Sequence, residues 1–112
     1  MATHISAEED FFLMSNLSPK TTGLPFVVWI SPKGGAQHDV RVKVSKGPKA
    51  LPGEFVTVSV RPTVEILDGT LTGRQLALLR EWIELNRDVL IQFWDGRIEY
   101  TEDALNALKR IE

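Results

Sequence analysis

The stretch Leu71 to Trp94, LTGRQLALLREWIELNRDVLIQFW, constrains this chain most. It is the longest run with helical character, it contains no proline, and it holds two of the three tryptophans, Trp82 and Trp94. Thr72 with Gln75 three residues later forms a capping-box pattern. The helix then sets Leu76, Leu79, Ile83, Leu90 and Trp94 near one face, flanked by Leu78, Trp82 and Phe93. Such a stripe has to be buried against another layer. Asp95-Gly96 supplies the stop, with Gly96 suited to a left-handed cap. Asn86 interrupts the stripe, which predicts either a break into two helices or a polar contact under the layer that the helix covers.

The residues before the helix can build that layer. Phe26-Val27-Val28-Trp29-Ile30 is a continuous run of aromatic and β-branched residues, expected as a strand buried on both faces. Residues 39–46 alternate, with Val40, Val42 and Val44 inward and Arg41, Lys43 and Ser45 outward. Ser31-Pro32-Lys33-Gly34-Gly35-Ala36 between them predicts a hairpin with a loop of about eight residues. Phe55–Val60 alternates again, with Val56, Val58 and Val60 inward. Val64, Ile66 and Leu67 are expected to fold back on it, because Pro62 cannot donate to a ladder. The result is an α+β fold: a small antiparallel sheet of three or four strands, one face wet and the other covered by the long helix.

Shorter helices are expected at both ends. Ser6 with Glu9 is a second capping-box pattern, predicting a helix over about 7–16. Its apolar residues Phe11–Met14 are consecutive rather than on one face, so this segment caps the core or docks on a second copy. Ser18-Pro19 and Thr22-Gly23-Leu24-Pro25 read as linker. Thr101 is expected to cap a last helix, with Glu102 and Asp103 in its first turn, Lys109 and Arg110 in its last, and a stripe of Ala104, Leu105, Leu108 and Ile111.

At 112 residues the chain reads as one domain. Residues 1–17 are a mobile or docking segment, 24–67 the sheet and 72–112 the helical part. With 43% hydrophobic and 25% charged residues it is globular in composition. It has no cysteine, which excludes disulfides and thiolate chemistry and fits a reducing compartment. No segment reaches the ~20 apolar residues of a membrane span, nor the apolar core of a signal peptide. A cytoplasmic protein without a membrane partner is therefore expected. The net charge of −2 is unevenly spread: −3 over residues 1–16, +5 over 17–62 and −4 over 63–112.

The residues spell out no established chemistry. Of the two histidines, His4 lies in the expected loose tail. His38, beside Asp39, is a weak candidate for a catalytic base or a solvated turn residue. Two lone histidines and scattered acids have none of the spacings that hold a metal, and no cofactor motif is present. The loop at Lys33-Gly34-Gly35 lacks the Gly-Lys-Ser/Thr of a phosphate loop and precedes a strand rather than a helix. The outward face of the sheet carries Arg41, Lys43, Thr57, Ser59 and Arg61, with Lys46 and Lys49 at its edge. That set is a solvated face, a nucleic-acid surface or a cover for an acidic protein partner. Only Phe55 could add an aromatic there to stack a base.

Glu65-Ile66-Leu67-Asp68-Gly69-Thr70-Leu71, then Glu81-Trp82-Ile83-Glu84-Leu85-Asn86, then Trp94, resembles a bacterial family of small proteins known only as a domain of unknown function. Its pattern is strands, a Leu-x-Gly-x-Leu turn, and a helix carrying Glu-Trp-x-x-Leu-His and ending near Asn-Trp. The strand Gln37–Val42 corresponds to its His-x-His-Val segment, so the likeness covers about 37–95. The resemblance implies a stand-alone protein in a two-gene arrangement reminiscent of toxin–antitoxin modules. This chain departs from the pattern at the histidines: Gln37 and Asp39 flank a single His38, and Asn86 replaces the helix histidine. Three functions follow as expectations. The first is a non-enzymatic interaction module, as a homodimer or with a small protein partner. The second is nucleic-acid binding through Arg41, Lys43, Lys46 and Arg61. The third is a toxin-like ribonuclease using His38 with Arg41 and Arg61.

Overall fold

The computed structural model describes residues 14–49 and 53–112. In chain order its elements are β1 (Ser15–Leu17), α1 (Pro19–Thr22), β2 (Val28–Ile30), β3 (Arg41–Ser45), β4 (Phe55–Ser59), β5 (Ile66–Asp68), α2 (Gly73–Trp94) and α3 (Thr101–Ala107). The fold is α+β. Five antiparallel strands lie in sequential order, and α2 packs on their apolar face.

The extra strand is β1. A helix was expected over 7–16, but Ser15–Leu17 pair with Val28–Ile30 instead. The edge of β2 offers backbone donors and acceptors that a three-residue ladder satisfies. The rest of that expected helix lies outside the described residues. The 18–25 linker contains a helical turn: Ser18 caps α1, Pro19 opens it, and Gly23 closes it at φ 85. The β2–β3 loop spans residues 31–40 and is longer than expected, because pairing begins at Arg41.

Register follows the valine pattern. Val28 faces Val44, Val44 faces Val56, and Val42 faces Val58. These valines are at most 1% exposed and lie against Leu79, Trp82, Ile83, Leu90 and Phe93 of the helix. Strand β2 is buried on both faces, as its composition requires. β4 turns back into β5 through Arg61-Pro62-Thr63, where the Arg61–Pro62 peptide is cis. A bulge at Thr57/Val58 shifts the register there.

The second face is not uniformly wet. Arg41 and Ser59 are half-buried, whereas Lys43, Thr57 and Ser45 are buried. Ser45 was expected outward in solvent, but its hydroxyl accepts from Val27 N–H at 2.9 Å and donates to the Gly47 carbonyl at 2.6 Å. A buried hydroxyl satisfied on both sides carries little desolvation cost.

Helix α2 carries the expected capping box at Thr72 and Gln75. At its other end the Arg97 N–H bonds to the Gln92 carbonyl at 2.9 Å and the Gly96 N–H to the Phe93 carbonyl at 3.3 Å. Gly96 is at φ 82, so the arrangement is a Schellman cap. The helix runs unbroken through Asn86, which is 1% exposed. Asn86 reaches the C-terminal tail rather than the sheet. Its Nδ2 donates to the Lys109 carbonyl at 2.9 Å and to the Trp82 carbonyl at 3.0 Å, and its Oδ1 accepts the Lys109 N–H at 2.7 Å.

That contact explains why the last helix is short. It was expected to continue to Ile111, but α3 stops at Ala107 and Leu108 is extended. The tail then crosses back. Ile111 N–H bonds to the Thr22 carbonyl at 3.0 Å, and Arg110 Nε to the Lys20 carbonyl at 3.0 Å. Tertiary partners satisfy the backbone groups that a further helical turn would have satisfied internally. The cap of α3 is Tyr100, without a side-chain capping bond, rather than Thr101.

Candidate functional site

Two places on the described surface combine charge with unusual environment. The first lies where the loop before β3, the end of β4 and the C-terminus of α2 converge. Arg61 follows β4, and its Nε and Nη2 each reach an Asp39 carboxylate oxygen at 2.9 Å. Its Nη2 also lies 4.0 Å from Asp95, and Asp95 pairs with Arg97 at 3.3 Å. The Arg61 hydrogen bonds hold the Asp39 carboxyl below the usual carboxylate range, against a smaller opposing effect of burial. Reciprocally, Asp39 raises the Arg61 guanidinium. The pair is over a third exposed on both sides, so water screens it, and its worth is at most about 1 kcal/mol.

His38 belongs to this cluster. Its Nδ1 lies 2.8 Å from the Asp39 carbonyl. A carbonyl only accepts, so that contact places the proton on Nδ1 and leaves Nε2 as an acceptor. The ring lies 5.4 Å from the Trp94 ring at a 31° tilt. Trp94 in turn is anchored by the helix end, and its carbonyl accepts the Lys33 N–H at 3.1 Å. The chemistry available here is an exposed imidazole acceptor beside a neutralised Arg–Asp pair. Among the described residues no group of three or more His, Asp and Glu side chains is placed to hold a metal ion.

The expected binding residues separate. Arg41 starts β3 opposite Ser59, near the cluster. Lys43 sits mid-strand and is buried. Lys46 lies past the far end of β3, where its carbonyl accepts from Gln75 Nε2 at 3.3 Å. The four cations are therefore strung along the sheet rather than gathered in a patch. Sequence reasoning placed Trp94 in the core and Asp95 at the helix stop. Their meeting with His38 and Arg61 depends on the sheet register, which carries no local signal.

The second place is an open groove of about 380 Å³ between the β4–β5 turn and the flank of α2. Arg80, Glu84 and Arg87, on successive turns of one helix side, form one wall, and residues 62–65 form the other. Arg80 Nη2 makes a long bond of 3.4 Å to the Val64 carbonyl. The Nε of Arg87 is buried and has no acceptor. Beyond Glu65 the chain enters β5, whose outer edge no described strand covers. The bulge there leaves Leu67 53% exposed. The sequence alone did not single out Arg80 or Arg87 as binding residues.

Comparison with known proteins supports the resemblance over a shorter span. Residues 51–95 match the model of a domain of unknown function, DUF4160. No curated protein and no solved structure matches the chain. The matched stretch holds β4, β5 and α2, and with them Arg61, Trp94 and the whole groove. His38, Asp39, Arg41, Lys43 and Lys46 lie before it. No described helix is long and apolar enough to cross a membrane.

Proposed function

We propose that this chain, with its DUF4160-like β4–β5–α2 unit, is a non-enzymatic protein-interaction module. It acts in the bacterial cytoplasm as a homodimer or as one half of a two-protein system. The observation that carries this reading is the groove beside β5. It is walled by the charged Arg80, Glu84 and Arg87, and β5 holds an apolar side chain, Leu67, 53% exposed on a bulged edge strand. An apolar side chain left in solvent on a sheet edge gains free energy when a partner covers it. A partner carboxylate over Arg80 and Arg87, with apolar contact to Leu67, would use both features. The match to DUF4160 includes every residue involved.

The nucleic-acid reading draws less support. Lys43 is buried, Arg61 is paired with Asp39, and Lys46 is at the opposite end of β3 from Arg61. The ribonuclease reading has an available His38 Nε2, but Arg61, one of its two arginines, is held by Asp39.

Sedimentation velocity across a wide concentration range, alone and with the product of any adjacent co-transcribed gene, tests the proposal. A dimer or heteromer is expected, weakened at least tenfold by Leu67→Asp and by Arg87→Ala, with melting curves still cooperative. That loss corresponds to about 1.4 kcal/mol. A strict monomer without a partner, or an assembly indifferent to both substitutions, sinks it.

A further inference from the structure

Of the aspartates in the chain, Asp68 and Asp95 alone precede a glycine. The fold treats these two Asp-Gly pairs differently. Asp95 caps α2 with near-helical backbone, φ −76 and ψ −5, and its N–H donates to the Ile91 carbonyl at 2.8 Å. Its carboxylate pairs with Arg97, and the following Gly96 N–H donates to the Phe93 carbonyl at 3.3 Å. Asp68 is the last residue of β5, and both it and Gly69 are exposed. Among the described residues nothing pairs with the Asp68 carboxylate, and the Gly69 N–H has no acceptor. Gly69 is nevertheless obligatory. It sits at φ 92, and a Cβ there would lie 3.0 Å from Val56 Cγ2 and 3.1 Å from the Phe55 carbonyl oxygen.

We infer that Asp68 is a site of spontaneous covalent modification, the isomerisation of its backbone to isoaspartate. The Gly69 nitrogen gives its proton to solvent and attacks Asp68 Cγ. A C–N bond forms, a carboxyl C–O bond breaks, and the oxygen leaves as water, which gives a cyclic imide. Water then adds to either imide carbonyl. Cleavage at Cγ restores aspartate. Cleavage at the main-chain carbonyl leaves the chain running through Cβ and Cγ, with the former main-chain carboxyl as the free acid. One water is lost and one regained, so no other reactant is needed. Glycine favours the attack because it has no Cβ to obstruct the approach. At Asp95 the same attack must wait until the helix cap opens, because the Gly96 proton is held by Phe93. At Asp68 no such opening comes first. The product lengthens the main chain by a methylene where Gly69 lies tight against Val56. It therefore disrupts the pairing of Asp68 with Thr57 and loosens β5.

The full-length protein is aged in neutral buffer, native and in urea, and then digested. Isoaspartate in the peptides containing Asp68 and Asp95 is identified by electron-transfer fragmentation and quantified against synthetic isoaspartyl peptides. In the native protein the isomer should build up severalfold faster at Asp68 than at Asp95. In urea, where both pairs lose their surroundings, the two rates should converge. Asp68→Glu keeps the carboxylate but would have to close a larger ring, so it should abolish the isomer at that position and leave Asp95 unchanged. Amide exchange over Ile66–Asp68 should be severalfold faster in the aged native protein than in fresh protein, with Val42–Val44 unchanged. Native rates that are equal, or faster at Asp95, overturn the inference. So does the absence of isoaspartate at Asp68 in the native protein, whatever the urea sample shows. Unchanged exchange in β5 of an isomerised sample refutes the loosening of that strand.

Discussion

Replacing Asn86 by leucine tests how the C-terminal tail is held. Asn86 presents an amide to the backbone of Lys109, accepting its N–H at 2.7 Å and donating to its carbonyl at 2.9 Å. Each such bond contributes about 1 kcal/mol net. If the tail stayed in place, the leucine side chain would also leave the Lys109 N–H and carbonyl unsatisfied, at about 1–3 kcal/mol each. The alternative is for the tail to detach. Detachment gives up the burial of Ile111, about 1.5–3 kcal/mol, and its bond to the Thr22 carbonyl. The conformational entropy of the released residues offsets part of that loss. Detachment is therefore the cheaper response and sets the ceiling. Leucine returns a few tenths through helix propensity. The net expectation is a loss of about 1–3 kcal/mol in urea denaturation. It should come with a large loss of hydrogen-exchange protection at the Ile111 amide, well below the global unfolding free energy. Asn86→Leu and Ile111→Ala should be clearly non-additive, because they release the same tail. An Ile111 amide that stays fully protected in Asn86→Leu would refute the clamp.

Three other outcomes follow from the described contacts. Gly23→Ala places a Cβ at φ 85 against the Ile111 carbonyl, so it should cost more than the ~1 kcal/mol of the conformation alone and expose the tail to limited proteolysis. Trp82→Ala should cost about 3–5 kcal/mol. Because the indole N–H is buried without an acceptor, Trp82→Phe should cost far less, and equal midpoints for the two variants would count against this account. Arg61→Ala acts through Asp39. The depressed Asp39 pKa gives stability that is present above the ordinary carboxylate value and lost as pH falls through the folded value. The wild type should therefore exceed Arg61→Ala by up to about 1 kcal/mol at neutral pH, with the gap closing in acid; a gap that widens there contradicts the assignment.

The local patterns already specified much of this fold. Alternating valines set two strands and their inward face, because a period of two leaves no other way to bury them. The Thr72–Gln75 box and Gly96 marked the ends of α2 to within two residues, since caps act on neighbouring backbone. The DUF4160 likeness was readable for the same reason, being carried by the turn and helix that these signals define.

Wherever distant segments meet, tertiary structure decided the outcome. Ser15–Leu17 became a strand because a sheet edge was available. Residues beyond Ala107 left the helix because Asn86 offered them hydrogen bonds. Lys43, outward by alternation, is buried because facing outward on a sheet does not determine what covers that face. Arg61 lost its role as a bare cation when the register set it against Asp39. The long run Leu71–Trp94 determined by itself that it would be a helix with one buried side. Only packing showed that Asn86 within its stripe fastens the end of the chain, because no local pattern records a partner 23 residues away.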